Sequence, residues 1–169
     1  TPRDQQLWVS AWIQNRFRLE ALRKINTLGL HEECDWIFLI RSDYLFTSPI
    51  IASLNGKPSS LLLMRGDSYG GFNDRFLGIP SSQLPMVLSM FDYTLPTYSA
   101  RGKAFFSFMK RQASPNPETA LLYSLRENLR REPPSFIGQM GYCVRMPGQG
   151  SRWSSGFWSD KRGVFIKYP

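Results

Sequence analysis

The chain has 169 residues with 14% aromatic and 42% hydrophobic content, which excludes a disordered chain and fits one domain with a real core. A net charge of +8 gives a positive field that suits nucleic acid, an acidic membrane surface or a small polyanion such as a nucleotide diphosphate, without choosing among them. Two cysteines, Cys34 and Cys143, stand too far apart in sequence for a metal-binding spacing, and free thiols are expected rather than a bridge.

Asp4 to Leu28 reads as a helix, with Leu7, Trp8, Ala11, Trp12, Leu19, Leu22 and Ile25 on one stripe and Arg16, Glu20, Arg23 and Lys24 opposite. Gly29 follows where a left-handed helix end is common. His31 is the only histidine and, with no partner ligand nearby, reads as a surface or capping residue. Trp36-Ile37-Phe38-Leu39-Ile40 is an unbroken apolar run of strand length, as in a strand buried on both faces at the centre of a parallel sheet. Its end flips to Arg41-Ser42-Asp43. Open α/β sheets bind ligands at the carboxyl ends of their strands. Arg41 and Asp43 there either form a site, with the carboxylate on a cation and the guanidinium on a phosphate, or pair with each other in a turn.

Residues 53–58 read as a turn, and Leu61–Met64 as a second apolar strand beside the first, ending in Arg65-Gly66-Asp67. The loop Ser68 to Arg75 holds Gly70-Gly71, which permits a close backbone approach or a tight turn. Phe76–Ile79 is a short strand, and Ser81 or Ser82 caps a helix to about Phe91, with Pro85 in its first turn. Asp92 to Arg101 reads as irregular and Ala104–Gln112 as a short helix whose Phe105, Phe106, Phe108 and Met109 pack inward. Asn116 caps, and Pro117 and Glu118 open, a helix with Ala120, Leu121, Leu125 and Leu129 on its apolar side and Pro133-Pro134 beyond its end. Ile137–Val144 reads as one strand, and the chain from Met146 onward has no periodicity. No run reaches transmembrane length.

In order, DWIFLIRSD, GGFNDRFLGIPSS, and NPETALLYSL followed by a strand ending YCVR resemble the metal-dependent, nucleotide-sugar-using glycosyltransferases of the GT-A type, over about Trp8 to Arg145. The resemblance implies a Rossmann-like three-layer α/β sandwich with a mostly parallel central sheet, and a single catalytic domain over 1–169. The family's first strands and base-binding loop normally precede these segments, and the chain opens at Thr1-Pro2 without methionine, so an N-terminally truncated domain is expected. The implied reaction moves a hexosyl or pentosyl group from a nucleotide-diphosphate sugar to a glycan, protein or small-molecule hydroxyl. A manganese or magnesium ion on the donor diphosphate is the implied cofactor. Asp43 matches the last aspartate of the family's Asp-X-Asp motif, and Arg41 replaces the first. Gly71, Asn73 and Arg75 match the loop that lines the donor, beside Arg41.

Asp74 and Glu118 are the candidate bases. The bland alternatives are an ion pair with a neighbour for Asp74 and a helix N-terminal charge for Glu118. A non-catalytic basic module for nucleic acid or an acidic partner, with its arginines spread over Lys110–Arg131, is the rival reading, while nucleic acid is not an expected partner of the glycosyltransferase. A secretory-pathway lumen and the cytoplasm both remain open.

Overall fold

The computed structural model describes residues 2–47, 49, 59–66, 68–92, 100–113, 115–129, 133–138, 141–145, 156–159 and 164–167, and of 2–10, 127–129, 142, 145, 156–158 and 164–167 the backbone alone. The turn expected at 53–58, Asp67 and most of the irregular stretch after Asp92 lie outside the described residues.

Helix α1 (Pro2–Thr27) matches its apolar stripe: Ala11, Leu19 and Leu22 are buried. Its outer face carries Arg16–Glu20 and Arg23–Glu20 ion pairs one turn apart. Gly29 ends it with φ 68, a left-handed conformation that glycine adopts without steric cost. Four strands follow, β1 (Trp36–Ile40), β2 (Tyr44–Phe46), β3 (Leu62–Met64) and β4 (Phe76–Pro80), then helices α2 (Leu84–Phe91), α3 (Ala100–Lys110) and α4 (Pro117–Leu129), and strands β5 (Ser135–Ile137), β6 (Gly141–Arg145), β7 (Gly156–Ser159) and β8 (Val164–Lys167).

The fold is mixed α/β, with two four-stranded sheets. The first has the order β1-β4-β3-β5 and the second β2-β6-β8-β7. Only β3–β5 is parallel among the described pairings, in place of the mostly parallel sheet that the resemblance implies. Trp36–Ile40 is also not central: β1 is an edge strand among the described residues, and β4 lies between it and β3. The continuous apolar run has another cause. One face of the first sheet (Ile37, Leu63, Leu77, Ile79) packs on α1, α2 and α4 through Leu19, Leu22, Val87, Phe91, Leu121 and Leu125. Its other face (Leu62, Met64, Phe76, Ile137) packs on Tyr44 and Cys143 of the second sheet, with Trp36 and Phe38 at the margin. A strand between helices and a second sheet is apolar on both faces whatever the direction of its neighbours.

Smaller expectations shift too. The serine cap before α2 is absent; Ser81–Gln83 forms a 3-10 turn and Pro85 sits in the first turn of α2. Ile137–Val144 divides into β5 and β6, which belong to different sheets. The aperiodic end holds the antiparallel pair β7–β8. Cys34 is exposed, Cys143 buried, and both are free thiols. The aromatic residues of α3 pack as expected: Phe105 and Met109 are buried, and Phe108 rests on that cluster. No helix among the described residues is long and apolar enough to cross a membrane.

Candidate functional site

Three chain segments converge at the carboxyl end of β1. The first is the tight turn after the strand. Arg41 donates from Nε and Nη2 to the two oxygens of Asp43 at 2.9 and 2.8 Å, a bidentate pair. The Tyr44 N–H donates to the Arg41 carbonyl and closes the turn. Because β1 pairs with β4, the second segment arrives opposite. The Arg41 N–H donates to the Arg75 carbonyl, which sets Asp74 beside the Arg41 guanidinium, with Nη1 3.5 Å from Asp74 Oδ2.

The third segment is α1. Arg18 reaches inward, donating to the Asp74 carbonyl at 2.7 Å and to Asn15 Oδ1 at 2.8 Å, with Nη2 3.6 Å from Asp74 Oδ2. The Asp74 side chain is fully buried and its Oδ1 has no donor. These groups border a cavity of about 590 Å³. Arg18, Arg41, Asp43 and Asp74 form its polar wall, and Phe17, Phe38, Leu39 and Ile40 its apolar wall.

Glu118 enters from α4. Asn116 and Thr119 cap that helix reciprocally: the Thr119 N–H donates to Asn116 Oδ1 at 2.7 Å, and the Asn116 N–H donates to Thr119 Oγ1 at 3.0 Å. Asn116 Nδ2 also donates to the Tyr69 carbonyl, and the Phe72 N–H donates to the Glu118 carbonyl. The glycine loop is thereby strapped across the first turn of α4. Gly71 is required there, since a Cβ on it would lie 2.0 Å from the Glu118 carbonyl oxygen.

Burial raises the Glu118 carboxyl to about 7, with the negative charge of Asp74 and a hydrogen bond to it adding to the rise. The hydrogen bond between the two carboxyls requires a proton, which the protonated Glu118 supplies. Arg18 is pushed below its ordinary value by burial, against the pull of Asp74. Burial acts the same way on Arg41, but its hydrogen bonds to Asp43 and the charge of Asp74 more than offset that and hold it above the ordinary value.

The structure therefore brings Arg41, Asp43 and Asp74 to the cavity wall, with Glu118 interacting with Asp74 but off that wall, and uses the other sequence-derived candidates differently. Asn73 accepts from the Arg75 N–H and donates to the Gly66 carbonyl, which shapes the loop. The Arg75 side chain lies on the opposite side of the strand from Asp74, with Nε donating to Cys143 Sγ at 2.8 Å, and it is absent from the cavity wall. Gly71 positions Glu118. The sequence alone does not single out Arg18, although a signal exists. Ala11, Asn15, Arg18 and Leu22 follow helical spacing along the buried side, so two polar residues interrupt an apolar stripe.

The divalent ion implied by the family resemblance finds a poor donor set. No group of three His, Cys, Asp or Glu side chains that could hold a metal occurs among the described residues. Both oxygens of Asp43 are already taken by Arg41. These residues do not by themselves fit a metal, and the nearest positive charges are guanidinium groups. Of the rival basic region, Lys110, Arg111 and Arg126 are exposed, with the Arg126 guanidinium 4.1 Å from the Tyr123 ring centroid, and Arg130 and Arg131 lie outside the described residues.

A pH dependence follows from Glu118. Its carboxyl binds a proton more tightly folded than unfolded, so between about 4.5 and about 7 the folded state holds the extra proton. Stability is then highest below this window and falls as pH rises through it, by up to about 3 kcal/mol. Glu118→Gln, which mimics the protonated form, should flatten that fall. Urea unfolding at pH 5 and pH 8 measures it, and equal slopes for both proteins would refute the assignment.

Comparison with family models, with characterised proteins and with solved structures finds no match to this chain.

Proposed function

We propose that the protein is a glycosyltransferase of the GT-A-like α/β class, moving a sugar from a nucleotide-diphosphate donor to a hydroxyl acceptor. The observation that carries this reading is the buried Asp74–Glu118 carboxyl pair beside two guanidinium groups at a cavity-lined strand end. Glycosyl transfer needs positive charge on the leaving diphosphate and a base for the acceptor hydroxyl. Arg41 and Arg18 supply the first. Arg41 stays paired with Asp43 through Nε and Nη2 and presents Nη1, which lies only loosely on Asp74 at 3.5 Å, to the donor phosphates. The Glu118 carboxyl, raised to about 7, releases its proton near neutral pH and is then available to accept one. Both the positive charge and the base thus come from side chains of the protein itself.

A panel of nucleotide sugars, with and without manganese, tests the reading by thermal shift and donor hydrolysis. One donor is expected to stabilise the protein and to be hydrolysed slowly in the absence of an acceptor. Glu118→Gln should retain donor stabilisation and lose turnover on the order of 10²-fold or more. Failure of every nucleotide sugar to bind would sink the proposal.

A further inference from the structure

We infer that the outer edge of β1, unpaired among the described residues, pairs with the same edge of a second copy of this chain, giving a two-fold dimer whose partner adds Asp35 to the arginines of the site. β1 is the edge strand of its sheet among the described residues. The Ser81 N–H donates to the Asp35 carbonyl, and the Arg41 N–H donates to the Arg75 carbonyl, so the odd-numbered positions bond toward β4. By the alternation of an antiparallel ladder, the N–H and C=O groups of Trp36, Phe38 and Ile40 face the open edge. Five apolar residues without a charge, proline or bulge present that row, which natural edge strands ordinarily avoid.

The flanking charges select the occupant. Glu32, Glu33 and Asp35 are exposed before the strand, and Arg41 follows it. In an antiparallel pair centred on Phe38, position 36 meets 40, 37 meets 39, and Asp35 meets Arg41 of the second copy. This register makes hydrogen-bonded pairs of Phe38 with Phe38 and of Trp36 with Ile40, which uses every outward backbone group of the strand. Asp35 and Arg41 fall on the same sheet face as close cross-strand neighbours, once on each side of the axis. A two-fold axis perpendicular to the sheet sets the two α1 helices on that face, where Ile13 and Phe17, one turn apart, are 39% and 71% exposed. A parallel partner strand, or one that lacks an acid at one end and an arginine at the other, would not set an acid opposite an arginine at both ends.

Light scattering and sedimentation across micromolar to near-millimolar protein test the pairing, with amide exchange as the second measurement. A monomer–dimer equilibrium is expected, with the Phe38 and Ile40 amides protected at high concentration and exchanging on dilution. Asp35→Lys sets like charges opposite Arg41 twice per dimer and should weaken association about thirtyfold at low salt. Asp35→Asn should weaken it about threefold. Asp35 is exposed and outside the carboxyl site, so neither variant is expected to alter the fold, which circular dichroism verifies. A protein that stays monomeric at all concentrations overturns the inference. So does a dimer indifferent to Asp35→Lys, or edge amides protected equally at every dilution, which would mean that another segment covers the strand.

Discussion

Gly71→Ala is expected to be among the most damaging single-methyl changes in the chain, lowering stability by about 4 kcal/mol. The added Cβ would stand 2.0 Å from the Glu118 carbonyl oxygen, 2.1 Å from its carbon and 2.4 Å from the Thr119 nitrogen. All three are backbone atoms in the first turn of a capped helix, so no side-chain rotation relieves the clash. The loop and α4 must separate, and the bonds from Phe72 to Glu118 and from Asn116 to Tyr69 stretch or break. Gly70→Ala is the control. Its nearest neighbour, Thr119 Cγ2, is 3.8 Å away, so there is room, but its φ of 83° strains any L residue. That cost is about 1–2 kcal/mol. Chemical denaturation of the two variants distinguishes close approach from backbone conformation. If Gly71→Ala cost no more than Gly70→Ala, the strap between loop and helix would not have the role assigned to it.

That strap explains what the sequence could and could not reveal. The pair Gly70-Gly71 announces that the backbone comes close to something, but it does not say to what. Asn116-Pro117-Glu118-Thr119 announces a helix start for local reasons, because cap, proline and acid act within one turn, and α4 begins there. Local signals likewise place α1 and β1. Partners depend on contacts across long separations, for which the single sequence carries little information. Tyr44–Phe46 pairs with the distant strand Gly141–Arg145, and nothing near either segment specifies the other. An apolar run such as Trp36–Ile40 reports that both faces are covered, and is silent on whether helices or a sheet cover them. Glu118 is legible as a helix N-terminal acid, yet its raised proton affinity comes from burial and from Asp74, 44 positions earlier in the chain. Arg18 is hidden for the opposite reason: arginine on a long helix usually faces water, and here it turns in to meet a buried carboxylate.

Asp74→Asn follows from that burial. The substitution keeps the shape and removes a charge that two guanidinium groups face. Arg41 retains Asp43, so its loss is small. Arg18 has no second carboxylate within ion-pair reach among the described residues. Its remaining partners are Asn15 Oδ1 and the backbone carbonyl of residue 74, which are dipoles. A guanidinium already held below its ordinary proton affinity by burial then loses the charge that opposed that effect. Breaking a buried pair on one side costs about 3–5 kcal/mol, and the lower end is expected here because two hydrogen bonds to Arg18 survive. The change also removes one of the causes that raise Glu118, so that carboxyl should release its proton at lower pH, with burial alone still holding it up. Two independent readouts therefore move together: the urea midpoint falls, and the pH window over which stability declines shifts to more acidic values. A purely structural aspartate would move the first and leave the second in place. An Asp74→Asn protein that loses less than about 1 kcal/mol and keeps the wild-type pH window would show that Asp74 neither holds Arg18 nor raises Glu118.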